Sequence, residues 1–433
     1  MAYWGDDLFS SAFADQTQLD AEHASPTWVP MRATRFDISP ARDIEVLETS
    51  RSSDMVADER AVGGAWGGTL SFSVPLRGQS STYDATADGS GKATTVPVAN
   101  PEITMLADVI GSTARSIYRA DEISSDSQDA NTWDTDGNDD AALATLIGAG
   151  QLCADAATGA IRSFGWVKSY DATTNAIEMF EDGIAAPTTD DHLVPCLTLY
   201  ASGTGSTITP RTMRQTGSDS TQDVRAIGWY PTGATIAGAA GKQPTIEFSG
   251  EFASPLQFNT SGGGLLSATA YQTLPPIMGL TSGRLWIDST SNGTLETTGT
   301  TGIGDFSVEL GVELAPIPSH SATWGTSDIA VRRRTCRASF FVPYASSWVV
   351  GGVSKWSKSL DDGDTFSISL QSGNTIGKFF AMLIPAAKVV DVETWGSGAG
   401  GTLGWTVTVE PAEYTGDTGS GNACNSPFRL CFG

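Results

Sequence analysis

The residues that could carry chemistry in this 433-residue chain are few and scattered. Its three histidines are His23, His192 and His320, and none has a histidine, cysteine or carboxylate neighbour at metal-ligand spacing. The metalloprotease pattern HExxH, the nucleophile elbow GxSxG and the phosphate-cradling GxxxxGKS/T are absent. Gly396-Ser397-Gly398-Ala399-Gly400-Gly401 lacks the helix that a dinucleotide site requires and reads as a turn. Asp134-Thr135-Asp136-Gly137-Asn138-Asp139-Asp140 resembles part of a calcium loop. Such a loop needs glycine at its sixth position and glutamate at its twelfth, whereas counting from Asp134 puts Gly137 fourth and Thr145 twelfth. A solvated acidic loop is the expectation there, and a fortuitous cation site the alternative.

Paired carboxylates and clustered arginines remain. Glu309 and Glu313 share one face of an alternating segment, about 13 Å apart by strand rise. That exceeds the roughly 6.5–9.5 Å between the acids of an inverting glycosidase, although acids from distant strands could still build such a site. Arg332-Arg333-Arg334, with Arg337 nearby, is the dense positive run. It reads as a strand end with solvated arginines or as a contact with an acidic stretch of a neighbouring subunit, and less well as a nucleic-acid patch. Among the cysteines (Cys153, Cys196, Cys336, Cys424 and Cys431) there is no CxxC pair, and the six residues between Cys424 and Cys431 are too loose for a zinc motif. They read as reduced thiols, with a Cys424–Cys431 disulfide left open. No residue is assigned a catalytic, cofactor-binding or metal-ligating role. The expectation is a protein that is not an enzyme and carries no cofactor.

Composition points the same way. The chain has 25 basic and 49 acidic residues, a formal charge of −24, which opposes a surface built to grip phosphates. It does not oppose a surface that nucleic acid slides past. Charged residues make up 17%, below the usual quarter or so, and Ser, Thr, Ala and 48 Gly fill the gap. That profile suits strands with small polar residues on their wet faces and many turns. The N-terminus lacks the pattern of a secretory signal, and no window approaches the roughly 18 apolar residues of a membrane span.

The elements that would position these residues are mostly strands. Gly68–Leu76, Arg225–Gly233, Pro244–Phe252, Arg284–Asp288, Thr365–Leu370 and Trp405–Glu410 alternate apolar and polar residues. Phe306–Leu314 has the cleanest two-residue period, with its glutamates on the opposite, wet face. Lys378–Pro385 is apolar throughout, as expected of a strand buried on both faces. Residues 161–182 read as a hairpin and Leu193–Tyr200 as one strand. Helix 101–110 has Asn100 as N-cap, Pro101 at the first position, Glu102 in the first turn and Gly111 past its end, with Ile103, Leu106 and Ile110 on one face. A shorter second helix is expected over Ala345–Val350, and Asp361-Asp362-Gly363-Asp364 has the composition of a hairpin turn. Leu8, Phe9, Ala12 and Phe13 suggest a turn or two of amphipathic helix in an N-terminal arm, seated on a neighbouring subunit. The polar 48–60 segment is expected to be a loop ordered by assembly.

Met31–Ser39 and Glu48–Phe72, with Arg225–Trp229 through Ser249-Gly250, Arg284–Leu314, Thr335–Tyr344 and Ser367–Pro385, resemble the tail tube proteins of tailed, siphophage-like bacteriophages. The likeness spans most of 28–415 without one diagnostic motif. It implies a mainly β fold of two tandem β-sandwich or barrel modules, each with a short helix and loop insertions. The expected organisation is an arm at 1–27, a first module at 28–260 with insertions near 78–99 and 121–160, a linker at 261–283, a second module at 284–415 and a tail at 416–433. It further implies a virion tail subunit, made in the host cytoplasm, that self-assembles into stacked rings and meets tail tip, terminator and tape measure proteins. DNA would pass through the lumen without specific binding, and no membrane would be involved. Two modules per chain would give three chains per ring, and one would give six. The alternatives from different classes are a capsid decoration or fibre component, and a carbohydrate-binding β-sandwich, to which the 12 tryptophans lend support.

Overall fold

The computed structural model describes residues 9–16, 19, 26–34, 36–42, 45–46, 60–61, 65–77, 101–112, 121–122, 132–134, 150–157, 160–171, 173–174, 176–182, 192–201, 208–217, 223–239, 242–259, 284–287, 295–296, 304–345, 348–350, 352–373, 379–394, 403–419 and 425–432. The chain is mainly β, with two helices among these residues. It opens with strands β1 (Phe9–Asp15), β2 (Val29–Met31), β3 (Asp37–Arg42), β4 (Glu45–Val46), β5 (Arg60–Ala61) and β6 (Trp66–Pro75), then helix α1 (Pro101–Ile110). The middle of the chain holds β7 (Asp121–Glu122), β8 (Thr132–Asp134), β9 (Leu152–Ala157), β10 (Ala160–Asp171), β11 (Ala176–Met179), β12 (Glu181–Asp182), β13 (His192–Pro195) and β14 (Leu197–Tyr200). Next are β15 (Arg211–Gly217), β16 (Asp223–Gly238), β17 (Thr245–Phe252), β18 (Gln257–Asn259), β19 (Arg284–Ile287), β20 (Leu295–Glu296), β21 (Phe306–Pro318) and β22 (Thr326–Pro343). The last part has β23 (Val349–Val350), β24 (Val353–Ser354), helix α2 (Lys355–Asp362), β25 (Thr365–Ser372), β26 (Phe380–Thr394), β27 (Gly404–Pro411), β28 (Thr418–Gly419) and β29 (Arg429–Phe432).

One antiparallel ladder organises the molecule. It runs β3–β6–β17–β16–β21–β22–β27–β26–β25–β19. Strand β16 is long enough to serve twice: Asp223–Trp229 pairs with β15, across a bulge, and Gly233–Gly238 with β21. Strands β1 and β2 extend the β15 side, and β29 joins β26 to β14. Strands β7 to β11, β13 and β28 make a smaller sheet.

Alternation decides the inner face. Phe72, Phe248, Ile236, Val308, Phe340 and Val407 point into one apolar cluster that also takes in Ile103, Leu106 and Ile110 of α1. A second cluster lies under the smaller sheet, around Trp133, Trp166, Tyr170 and Cys153. The main cluster includes residues from Phe13 to Phe432, and strands from both sides of 261–283 share it. The linker itself, the insertions at 78–99 and over most of 121–149, most of the 48–60 loop, the 396–401 turn, His23, Cys424 and the Asn100 cap lie outside the described residues.

Four expectations are corrected. The arm is not an amphipathic helix on a neighbour: Phe9–Asp15 is a strand between β15 and β2, with Ala12, Phe13 and Ala14 buried in the chain's own core. A spacing of four, as between Phe9 and Phe13, puts residues on one side of a helix and also of a strand, so periodicity could not choose. The second helix is not at 345–350. Val349-Val350 forms β23, paired with β24 around Gly352 (φ +86°), and the helix follows at 355–362. Ser354 caps it by accepting the Ser357 N–H at 3.0 Å. Gly363, at φ +71°, ends it and donates to the Ser359 carbonyl at 3.0 Å, so Asp361–Asp364 is a helix end and not a hairpin turn. Finally, Leu193–Tyr200 is two strands, β13 in the smaller sheet and β14 in the larger.

Candidate functional site

The candidate surface is the outer face of the ladder. Along β17, Ile246, Phe248, Gly250 and Phe252 are buried, while Thr245, Glu247, Ser249 and Glu251 are exposed. Register carries that alternation sideways. Ser73, Glu247, Thr235, Glu309 and Arg337 lie opposite one another across five strands. Arg337 then binds Glu410 at 2.7 Å, and Glu410 faces Lys388. A parallel row reads Ala237, Ser307, Ser339, Thr408 and Asp391.

Between the charged positions the face is shallow. Gly233 faces Gly311, flanked by Ser249 and Thr335, and these border a cleft of about 650 Å³. A Cβ on Gly311 would lie 2.6 Å from Thr335 Oγ1, so a side chain there would have to displace that hydroxyl. The acids on this face are Glu247, Glu251, Glu309, Glu313, Glu410, Asp391 and Glu393, against Arg333, Arg337 and Lys388. The arrangement is a broad, polar, net acidic sheet with no described nucleophile–base pair.

The predicted residues divide between this face and the interior. Glu309 and Glu313 sit on it as expected, opposite Arg337 and Arg333. The arginine run does not act as one patch. Arg332 reaches Glu313 at 3.8 Å, an exposed pair. Arg334 turns inward and donates from Nε to the Val109 carbonyl at 3.0 Å, closing the C-terminus of α1. Burial lowers the Arg334 pKa, and Asp108 partly restores it. His192 belongs to β13, and His320 is exposed in the turn between β21 and β22. Cys153, Cys196 and Cys431 are buried and Cys336 is half-buried, none of them in a disulfide among the described residues. Burial pushes the Cys153 and Cys336 thiols up, which makes them poor nucleophiles. Among the described residues no group of three or more His, Cys, Asp or Glu is placed to hold a metal. Trp133, Trp166, Trp229, Trp286, Trp348, Trp356 and Trp405 are buried in the cores, where they offer no platform for a sugar ring.

Sequence reasoning missed the buried charges that seat α1. Glu102 is not a solvated first-turn acid but lies 3.0 Å from Arg77, both buried. Asp108 meets Arg211 at 2.6 Å, and Arg211 also reaches Asp15 of β1 at 3.0 Å. Burial raises the carboxyls of Glu102 and Asp108, and the arginines oppose it. Elsewhere Arg214 and Arg225 share Asp223, and Arg429 holds Asp417 at 2.6 Å. Glu181 is different: it accepts the Trp166 backbone N–H at 2.7 Å, and burial pushes its carboxyl up to about 8. The partners of Arg211 that seat α1 and β1 lie far apart from it in the chain, 196 residues in the case of Asp15, so no local spacing advertises them. No protein-family model and no curated protein matches this chain.

Proposed function

We propose that the chain is the tube-forming subunit of a phage tail, stacking in rings around a conduit through which DNA passes without being bound. The observation that carries the reading is the outer face of the ladder: wide, shallow, paved with Ser, Thr and Gly, and acidic in balance. A lumen wall of this kind repels phosphate at every step and offers no base-reading or phosphate-gripping groups, so a polyanion slides rather than sticks. The charge of −24 extends the same repulsion over the whole subunit.

The edges of that ladder suit assembly. Strand β3 pairs only with β6 among the described residues, and Val389–Thr394 of β26 pair only with β27. Unpaired strand edges invite another chain, and a closed ring removes them. Two modules per chain would make the ring trimeric; a single decorated module would make it hexameric. The proposed site of action is the virion tail, with tail tip, terminator and tape measure proteins as further partners. Negative-stain microscopy of the purified chain across concentration and salt tests the proposal. Rings or tubes are expected, and a chain that stays monodisperse under all of these conditions would overturn it.

A further inference from the structure

Two clefts, of about 470 and 490 Å³, meet at the end of β3, and Arg42 and Trp66 line both. The two residues are cross-strand partners, and the Arg42 guanidinium carbon lies 4.1 Å from the centre of the Trp66 ring. The turn between β21 and β22 closes over them. Trp66 donates its backbone N–H to the Trp324 carbonyl at 3.1 Å. Gly325, at φ +91°, comes so near Ala65 that a Cβ would lie 3.1 Å from it. One cleft adds Tyr230, Glu251 and Thr326, and the other adds Ser319, His320 and Trp324. Glu251 accepts the Tyr230 hydroxyl at 2.9 Å. Among the described residues Arg42 makes no ion pair, and its buried Nε has no hydrogen-bond partner.

We infer that this groove receives a carboxylate side chain from a second copy of the chain; the inference rests on the assembly reading above. A guanidinium held over an indole can still offer its terminal N–H groups to a bidentate carboxylate. A second copy supplies carboxylates in excess, 49 acidic residues against 25 basic. Arg42 also ends a strand that pairs only with β6 among the described residues. Pro40 in that strand has no N–H, so a ladder added along β3 is incomplete and its register has to come from side chains. Arg42 is placed to supply that register.

The test uses the full chain with Arg42→Lys, Arg42→Gln and Arg42→Glu, followed by sedimentation velocity and negative-stain microscopy over a concentration series. Arg42→Gln is expected to raise the concentration for half-assembly about tenfold. Arg42→Glu should raise it further, and Arg42→Lys should fall between wild type and Arg42→Gln. Circular dichroism melting checks that each variant folds; should Arg42→Glu fail to fold, Arg42→Gln carries the test. Assembly of the folded variants at wild-type concentrations overturns the inference and leaves the tube reading standing. A wild-type chain that never assembles overturns both.

Discussion

Arg337–Glu410 on the outer face and Arg211–Asp108 beneath α1 have nearly the same geometry, 2.7 and 2.6 Å. Their surroundings differ. Both partners of the first are about half exposed, while the Arg211 side chain is 1% exposed and that of Asp108 14%. Water screens the first pair, so it contributes little to stability and is free to serve as surface chemistry. The second has lost its water, and each charge depends on the other. One region of the molecule spends its charges on a surface, the other on holding a helix between sheet and strand.

The largest break in that contrast is expected from Arg211→Ala. It strands Asp108 in a dry site and should destabilise the chain by about 3–5 kcal/mol in urea denaturation. The loss should shrink at low pH, where Asp108 can take up a proton. A denaturation midpoint equal to wild type at neutral pH would sink this account of the clamp.

Glu181 sharpens it as a buried carboxyl held by the Trp166 N–H. Burial raises its folded pKa to about 8, well above the ordinary 4.5 of a glutamate in water. The folded state therefore holds a proton that the unfolded state has released. The associated stability is full below about pH 4.5 and is lost as pH rises through about 8. Glu181→Gln should flatten the part of the melting-temperature profile that falls between those values; an identical profile would remove Glu181 as its source.

Arg334→Ala is a smaller perturbation, expected to cost about 1 kcal/mol through the lost cap on α1. Hydrogen exchange should rise in the last turn of that helix and not along β17. The smallest effect on stability belongs to the outer face. Arg337→Ala should melt like wild type, and so should the pair Glu247→Lys with Glu309→Lys. That pair should nonetheless make the assembled protein retain duplex DNA in a low-salt filter assay. Equal retention by wild type and variant would count against a repelling wall.

Much of the ladder was legible because a half-wet strand announces itself with a period of two. Phe306–Leu314 and Thr245–Phe252 each alternate, and each is a strand with the expected face exposed. Helix 101–110 was legible from Pro101, its apolar face and Gly111. The second helix was not, because Lys355–Asp362 is short and its apolar side consists of Trp356 and Leu360 alone. The acidic face was half legible: Glu309 and Glu313 could be placed on a wet side, but not beside Arg337 and Arg333, whose register needed the pairing of β21 with β22.

Composition and local period were enough to show a mainly β chain with an acidic balance, a wet side to several strands and no recognisable catalytic motif. Tertiary structure alone decided which charges would be dry. Arg211 and Asp15 are 196 residues apart and Arg334 and Val109 are 225 apart, and no local pattern links them. An arginine reads the same in sequence whether it faces water or a helix end. What separates the two is the loss of water around it, and only the packing of distant strands removes that water.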